Sequence, residues 1–400
     1  MIMENYNKEF SKILDLVAQS SEETNDDASL KDLYTAKKEK LNLSDRQIQK
    51  LLGMDKKTLD PILNATAKQI NFINIIKLAH FLGITINKLT KIYLPDMSVD
   101  QIGEIERARI GSYLIEYFDI AALTKMKFLE SGASSKEMSE KLVQFLNLDS
   151  IFSYSKNIPE SVFIRTKRNS SDLMRSFWVV SALKQFELID NPYDYNRDEL
   201  IELMPKIRPF TRDEEHGLTK VLKALYAVGI TVIYQPSIEK LQVRGATMSV
   251  NNKPCIVLSD LNKNYPTLWF ALLHELHHVL YDFEEIDKRV YHITSGEGDL
   301  FLMNEERADD FAREYLLSET RFKFAKGYIT SNLHIEKLAK EWGVHPSIIY
   351  SFYCFDTKEW AFYKKYIPNM EVALQLLNTH PFEQDSLLES ARRIKEVIAI

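Results

Sequence analysis

Three of the chain's nine histidines fall between positions 274 and 278, inside the stretch FALLHELHHVLYDF (residues 270–283). The apolar residues around them fix the local fold. At about 100° per residue, Leu272, Leu273, Leu276, Val279 and Leu280 gather between about 140° and 260° of a helical wheel that starts at His274. His278 lies within about 40° of His274, and Glu275 borders them at about 100°. The stretch is therefore expected to form a helix with one face buried in a core. The opposite face presents two imidazoles and a carboxylate, with His277 at its edge.

His274-Glu275-Leu276-His277-His278 has the form H-E-x-x-H. Two histidines at i and i+4 can aim ring nitrogens at one zinc ion, and the glutamate beside the first can reach a water held there. The plainer alternative is a helix whose histidines pack against core or solvent, so a third ligand has to decide. The stretch NEERADDFAREYLLS (residues 304–318) supplies a candidate. Asn304 suits an N-cap, and Glu305 and Glu306 fall in the first turn, where the helix dipole favours acidic groups. Glu305 and Asp309 also share a face. Glu305 can complete a His/His/Glu set with one coordination position open, and Asp309 can hydrogen-bond a ligand histidine from behind. Two imidazoles and a carboxylate suit Zn2+ ahead of Mn2+.

Together, His274–His278 and the later Asn304-Glu305-x-x-Ala308-Asp309 resemble the thermolysin-like zinc peptidases, and most of all the ImmA/IrrE family of bacterial metallopeptidases. The approach RGATMSVNNKPCIVLSD followed by YPTLWFALLHELHHVL is similar too, and the match spans roughly residues 224–350. One departure is Arg307, where the family pattern carries a second glutamate. The resemblance implies an endopeptidase in which His274, His278 and Glu305 hold Zn2+ and Glu275 is the general base. It also implies a regulatory protease that cleaves a repressor or antitoxin-like protein in a stress, mobile-element or defence programme. The oxyanion donor is not named by the sequence. His292 could be a site residue that stabilises the oxyanion, but a solvated loop histidine is the plainer reading, and His334 and His345, which lack ligand spacing, read as surface residues.

Upstream, LSDRQIQKLLGMDKKTLDPILNATAKQINFINIIKLAHFLGITINKL (residues 43–89) carries short helices broken at Gly53 and Gly83, with Ser44 and Asp55 as N-caps. It resembles a helix-turn-helix domain of the Cro/repressor type, which would put the helix starting near Lys56 in the major groove of double-stranded DNA. Residues 41–93 hold eight Lys/Arg against three Asp and no Glu, a local +5 in a chain of net charge −6. The rest of the chain is then −11, which argues against a generic nucleic-acid binder. Lys56, Lys57, Thr58 and Lys68 are the candidate contacts, to phosphate more than to bases. Pro61 speaks against the DNA role, because it removes a backbone donor and tends to kink that helix. Protein docking or dimerisation is the alternative use of such a module.

The whole chain, at 400 residues and 45% hydrophobic, has room for two or three domains. The expected fold is mainly α with a small antiparallel β-sheet. We divide it into an N-terminal arm (1–28), a helix-turn-helix domain (29–95), a helical middle region (96–222), a zincin-like peptidase domain (223–350) and a C-terminal helical extension (351–400). GITVIYQP reads as a strand, and ATMSV and PCIVLS read as a hairpin around Asn251-Asn252. A free edge of that sheet could take an extended peptide as an added strand. RTKRN (165–169) reads as a solvated basic loop. Two distant cysteines exclude a disulfide framework, and no signal peptide or bilayer-length apolar run is found, so a cytoplasmic protein with no membrane role is expected and an oligomer remains open. The competing function is a transcription regulator or antitoxin whose peptidase-like domain senses a ligand or binds a partner with little turnover.

Overall fold

The computed structural model describes residues 29–67, 69–93, 99–158, 170–238, 241, 243–261, 263–289, 291–295 and 305–399. The N-terminal arm, Lys68, the basic run 165–169 and Asn304 lie outside them. The chain divides into two compact units, Met1–Arg109 and Ile110–Ile400.

The first unit contains α1 (Leu30–Leu41), α2 (Asp45–Leu52), α3 (Lys56–Leu63), α4 (Phe72–Leu82) and α5 (Ile86–Tyr93). Capping sets most of their ends. Ser29 and Asp32 form a capping box on α1, and Ser44 and Gln47 form one on α2. The Asp55 side chain accepts from Thr58 N–H at the start of α3. Gly53 closes α2 in the left-handed region at φ 59°, as a helix C-terminus prefers. Ile48, Leu59, Ile62, Leu78 and Leu89 fill the small core between these helices. Pro61 does not break α3. The helix runs through it and ends two residues later, where the Pro61 carbonyl accepts from Thr66 and Ala67 N–H.

In the second unit, one hydrophobic core runs from Leu114 to Ile398, so the three segments divided from sequence at 96–222, 223–350 and 351–400 share it. The division between the units falls within α6 (Val99–Tyr117), after which α7 (Ile120–Lys125), α8 (Ser135–Leu146), α9 (Ser170–Ile189), α10 (Arg197–Ile207) and α11 (Gly217–Ala227) precede the sheet. Its strands are β1 (Thr231–Tyr234), β2 (Val243–Val250), β3 (Lys253–Leu258) and β4 (Tyr291–Ser295), in the order β1-β3-β2-β4. The β2–β3 hairpin forms as expected, with Asn251 at φ 54° and Asn252 at φ 59°, the two positive angles of a tight primed turn. The sheet is mixed, not antiparallel throughout: β1 pairs with β3 in parallel, Thr231 opposite Cys255 and Tyr234 opposite Leu258. The hairpin is set by its own turn, but the side on which β1 joins depends on distant packing that no local pattern records. Edge strand β1 is buried at every residue. β2 is buried along nearly its whole length, Arg244 excepted, with α9 and α12 (Tyr265–Tyr281) packed against it, so its Thr247 and Ser249 are buried polar residues.

α12 starts at an Asn264 cap with Pro266 in its first turn, then leads to α13 (Phe283–Arg289). α14 (Glu305–Leu316) packs along α12. The remaining helices of one turn or more are α15 (Glu319–Lys326), α16 (Asn332–Trp342), α17 (Pro346–Thr357), α18 (Trp360–Tyr363), α19 (Glu371–Leu374) and α20 (Leu387–Ile398). His345 is not a surface residue. It caps α17, with Nδ1 at 2.6 Å from Ser347 Oγ and Nε2 at 2.9 Å from Glu214 Oε1. Among the described residues no helix is long and apolar enough to cross a membrane.

Candidate metal centre

The polar face of α12 is not exposed. His274, Glu275, His277 and His278 are all buried, because α14 and β2 cover the side left open in a lone amphipathic helix. Burying polar groups is costly unless each finds a partner, so the partners define the site.

His274 Nε2 and His278 Nε2 lie 3.2 Å apart, and the Glu305 carboxylate faces both, at 3.2 Å from His274 and 3.8 Å from His278. The far ring nitrogens face carboxylates. His274 Nδ1–H donates to Asp309 Oδ1 at 2.9 Å, and His278 Nδ1–H donates to Asp282 Oδ2 at 2.8 Å. A carboxylate behind Nδ1 selects the tautomer whose Nε2 lone pair points to the shared centre, as in histidines that ligate zinc. The structure thus brings Asp309, four residues after Glu305, against His274. Asp282, the C-cap of α12, was missed, although its spacing of four from His278 was visible. The ligand atoms of His274, His278 and Glu305 all lie within 4.8 Å of one another, so this donor set fits one small cation.

Electrostatics agree with that fit. Burial disfavours charge on His274, but its hydrogen bonds to Asp309 and Glu305 outweigh burial and raise its pKa to about 10. The surroundings thus call for positive charge at this point, which a divalent cation satisfies. His277 is different. Burial and the neighbouring His278 push its pKa down to about 4, and its Nδ1 stands 3.7 Å from Asp282. His277, His278 and Asp282 also lie close enough to be a ligand set, but only through the side of His278 that Asp282 already holds.

Glu275 is fully buried and is oriented by β2. Thr247 Oγ1–H donates to its Oε2 at 2.7 Å. Its Oε1 is buried without a hydrogen bond among the described residues, and a Cβ on Gly245 would come within 2.6 Å of it. Only glycine permits that approach. An acceptor left unsatisfied beside a cavity is suited to take a proton from an incoming group. The cavity, of about 380 Å³, is lined by His274, Glu275 and Asp309 together with Phe270, Phe352 and Phe355. Thr247 and Gly245 could not be found from sequence, because they meet Glu275 only once the sheet packs on α12.

The DNA candidates sit in the first unit. Lys56 and Lys57 are exposed in the first turn of α3, Thr58 is half-buried, and Lys68 lies outside the described residues. The Lys56 ammonium is 4.0 Å from Asp60, an exposed pair that holds it only weakly.

Comparison of the chain with protein-family models, curated proteins and solved structures returns no match.

Proposed function

We propose that this protein is a zinc-dependent endopeptidase of the ImmA/IrrE type joined to a helix-turn-helix unit, and that it regulates gene expression by cleaving a repressor or antitoxin-like protein. The observation that carries this reading is the convergence of His274, His278 and Glu305, with His274 and its neighbour Glu275 lining one cavity. His274, His278 and Glu305 hold the metal, and Asp309 and Asp282 fix the two rings. When bound, zinc supplies Lewis-acid polarisation of the scissile carbonyl and makes water more acidic. Glu275 takes the proton of the attacking water on Oε1 and later passes it to the leaving amine. Thr247 holds Oε2, which leaves Oε1, without a hydrogen bond among the described residues, to act as the acceptor. A substrate strand can reach the site along β4, the outer strand of the described sheet beyond β2.

The test compares wild type and Glu275→Gln in the native host by mapping new protein N-termini. Ends that form only with wild type name the substrate. Loss of cleavage by about 10²–10⁴-fold with metal retained is the expected effect of the variant. Full cleavage by Glu275→Gln would refute this mechanism.

A second reading rests on the exposed Lys56 and Lys57 and the local +5 of residues 41–93: a DNA-bound regulator whose peptidase-like unit binds a partner without turnover. Salt-dependent binding to its own promoter, with no new N-termini, is the result that favours it.

A further inference from the structure

The cavity beside Glu275 has a mixed lining. Part of it is aromatic, with the Phe270 and Phe352 rings edge-to-face at 6.5 Å and Phe355 partly exposed. The other lining groups of note are two arginines, Arg244 and Arg313. Arg244 is exposed and directly precedes Gly245, the residue against which Glu275 Oε1 rests. Arg313 follows Asp309 by four positions on α14, so Glu305, Asp309 and Arg313 lie along one helix face. Its guanidinium lies over the Phe352 ring, 5.0 Å from the centroid, which holds it at the cavity wall. Among the described residues neither arginine is in a salt bridge. Glu319 and Asp356 act on Arg313 only at longer range and are held by Lys323 and Lys326. The two carboxylates that line the cavity are engaged as well, Asp309 by His274 and Glu275 by Thr247. A volume of about 380 Å³ is near the small end of ligand pockets and suits one or two side chains, not a whole peptide.

From these residues, and resting on the peptidase reading above, we infer that the cavity is a specificity pocket for a carboxylate carried next to an aromatic or large apolar side chain of a peptide. The phenyl rings take the apolar group, and Arg244 and Arg313 take the carboxylate through charge-assisted hydrogen bonds. The carboxylate comes either from an Asp or Glu neighbour within the chain or from a free C-terminus.

Binding of fluorescent hexapeptides to zinc-loaded Glu275→Gln, read by anisotropy, tests this without cleavage. One set carries a central Phe flanked by Glu, Gln or Lys, with an amidated end. A second set ends in Phe as free acid or amide. The expected result is a preference of roughly tenfold or more for the carboxylate over Lys or amide. A gain in the amidated Glu set assigns the pocket to an acidic side chain, and a gain in the free-acid set alone assigns it to a chain end. Arg244→Glu and Arg313→Glu should reverse the order, and Arg244→Gln and Arg313→Gln should flatten it. Equal affinity across charges in the parent protein overturns the pocket, whatever the variants do. The two readings fail separately: wild type that leaves the tightest peptides intact breaks the peptidase reading but not the pocket, and wild type that cuts all peptides regardless of charge breaks the pocket but not the peptidase.

Discussion

The unit that ends at Arg109 and the unit that follows it are specified over different distances. In the first, the determinants sit a few residues apart. Ser44 caps α2 through Gln47, Gly53 closes it, and Asp55 opens α3. In the second, the candidate metal site depends on contacts between residues 28 and 35 positions apart in sequence. Asp309 on α14 orients His274 on α12, and Thr247 on β2 orients Glu275. Local chemistry can lay out a helical unit almost completely. A reactive centre needs tertiary packing, since its polar groups are buried and must find partners from other elements.

That contrast accounts for what the sequence revealed. The i, i+4 spacing of His274 and His278 and the acidic turn at Glu305 were visible because helix geometry turns spacing into direction. The hairpin at Asn251-Asn252 was visible because two left-handed residues define its turn. The parallel pairing of β1 with β3 was not, since strand order depends on which surfaces bury together. The same reason hid Gly245, Thr247, Arg244 and Arg313. His345 was misread as exposed because its partner Glu214 lies 131 positions away.

The largest effect is expected at His278. His278→Ala removes one of the three proposed ligands from a fully buried position, and Asp282 then loses its ring partner. Metal measured by mass spectrometry should fall from about one ion per chain to near none. If the second unit is as separate as its own core suggests, the helical content of the first should be unaffected. Undiminished metal in His278→Ala would show that the ligand set is wrong.

An intermediate effect is expected one step out. Asp309→Asn keeps a hydrogen bond to His274 but gives up the charge that fixes its tautomer, so metal affinity should drop about 10–100-fold, as measured by competition with a chelator. Asp282→Asn should behave similarly on His278. If neither variant changes affinity, the carboxylates are bystanders and the candidate site does not depend on the packing of α14 against His274.

The smallest effect compares like with like across the two units. Ser44 in α2 and Ser134 in α8 each form the same capping box, with Gln47 and Glu137 respectively. Each Ser→Ala change should cost about 1 kcal/mol, because each leaves a first-turn N–H without its side-chain acceptor. The same loss should not give the same shift in melting temperature. In a unit of the first one's size it corresponds to about 4–8 °C, and in one as large as the second to about 2–4 °C or less, because the entropy of unfolding grows with chain length. Calorimetry that resolves two transitions, with Ser44→Ala lowering only one and Ser134→Ala only the other, would establish that the units melt independently. A single transition lowered equally by both would mean that the units unfold together, and the local and long-range determinants would then stabilise one cooperative structure.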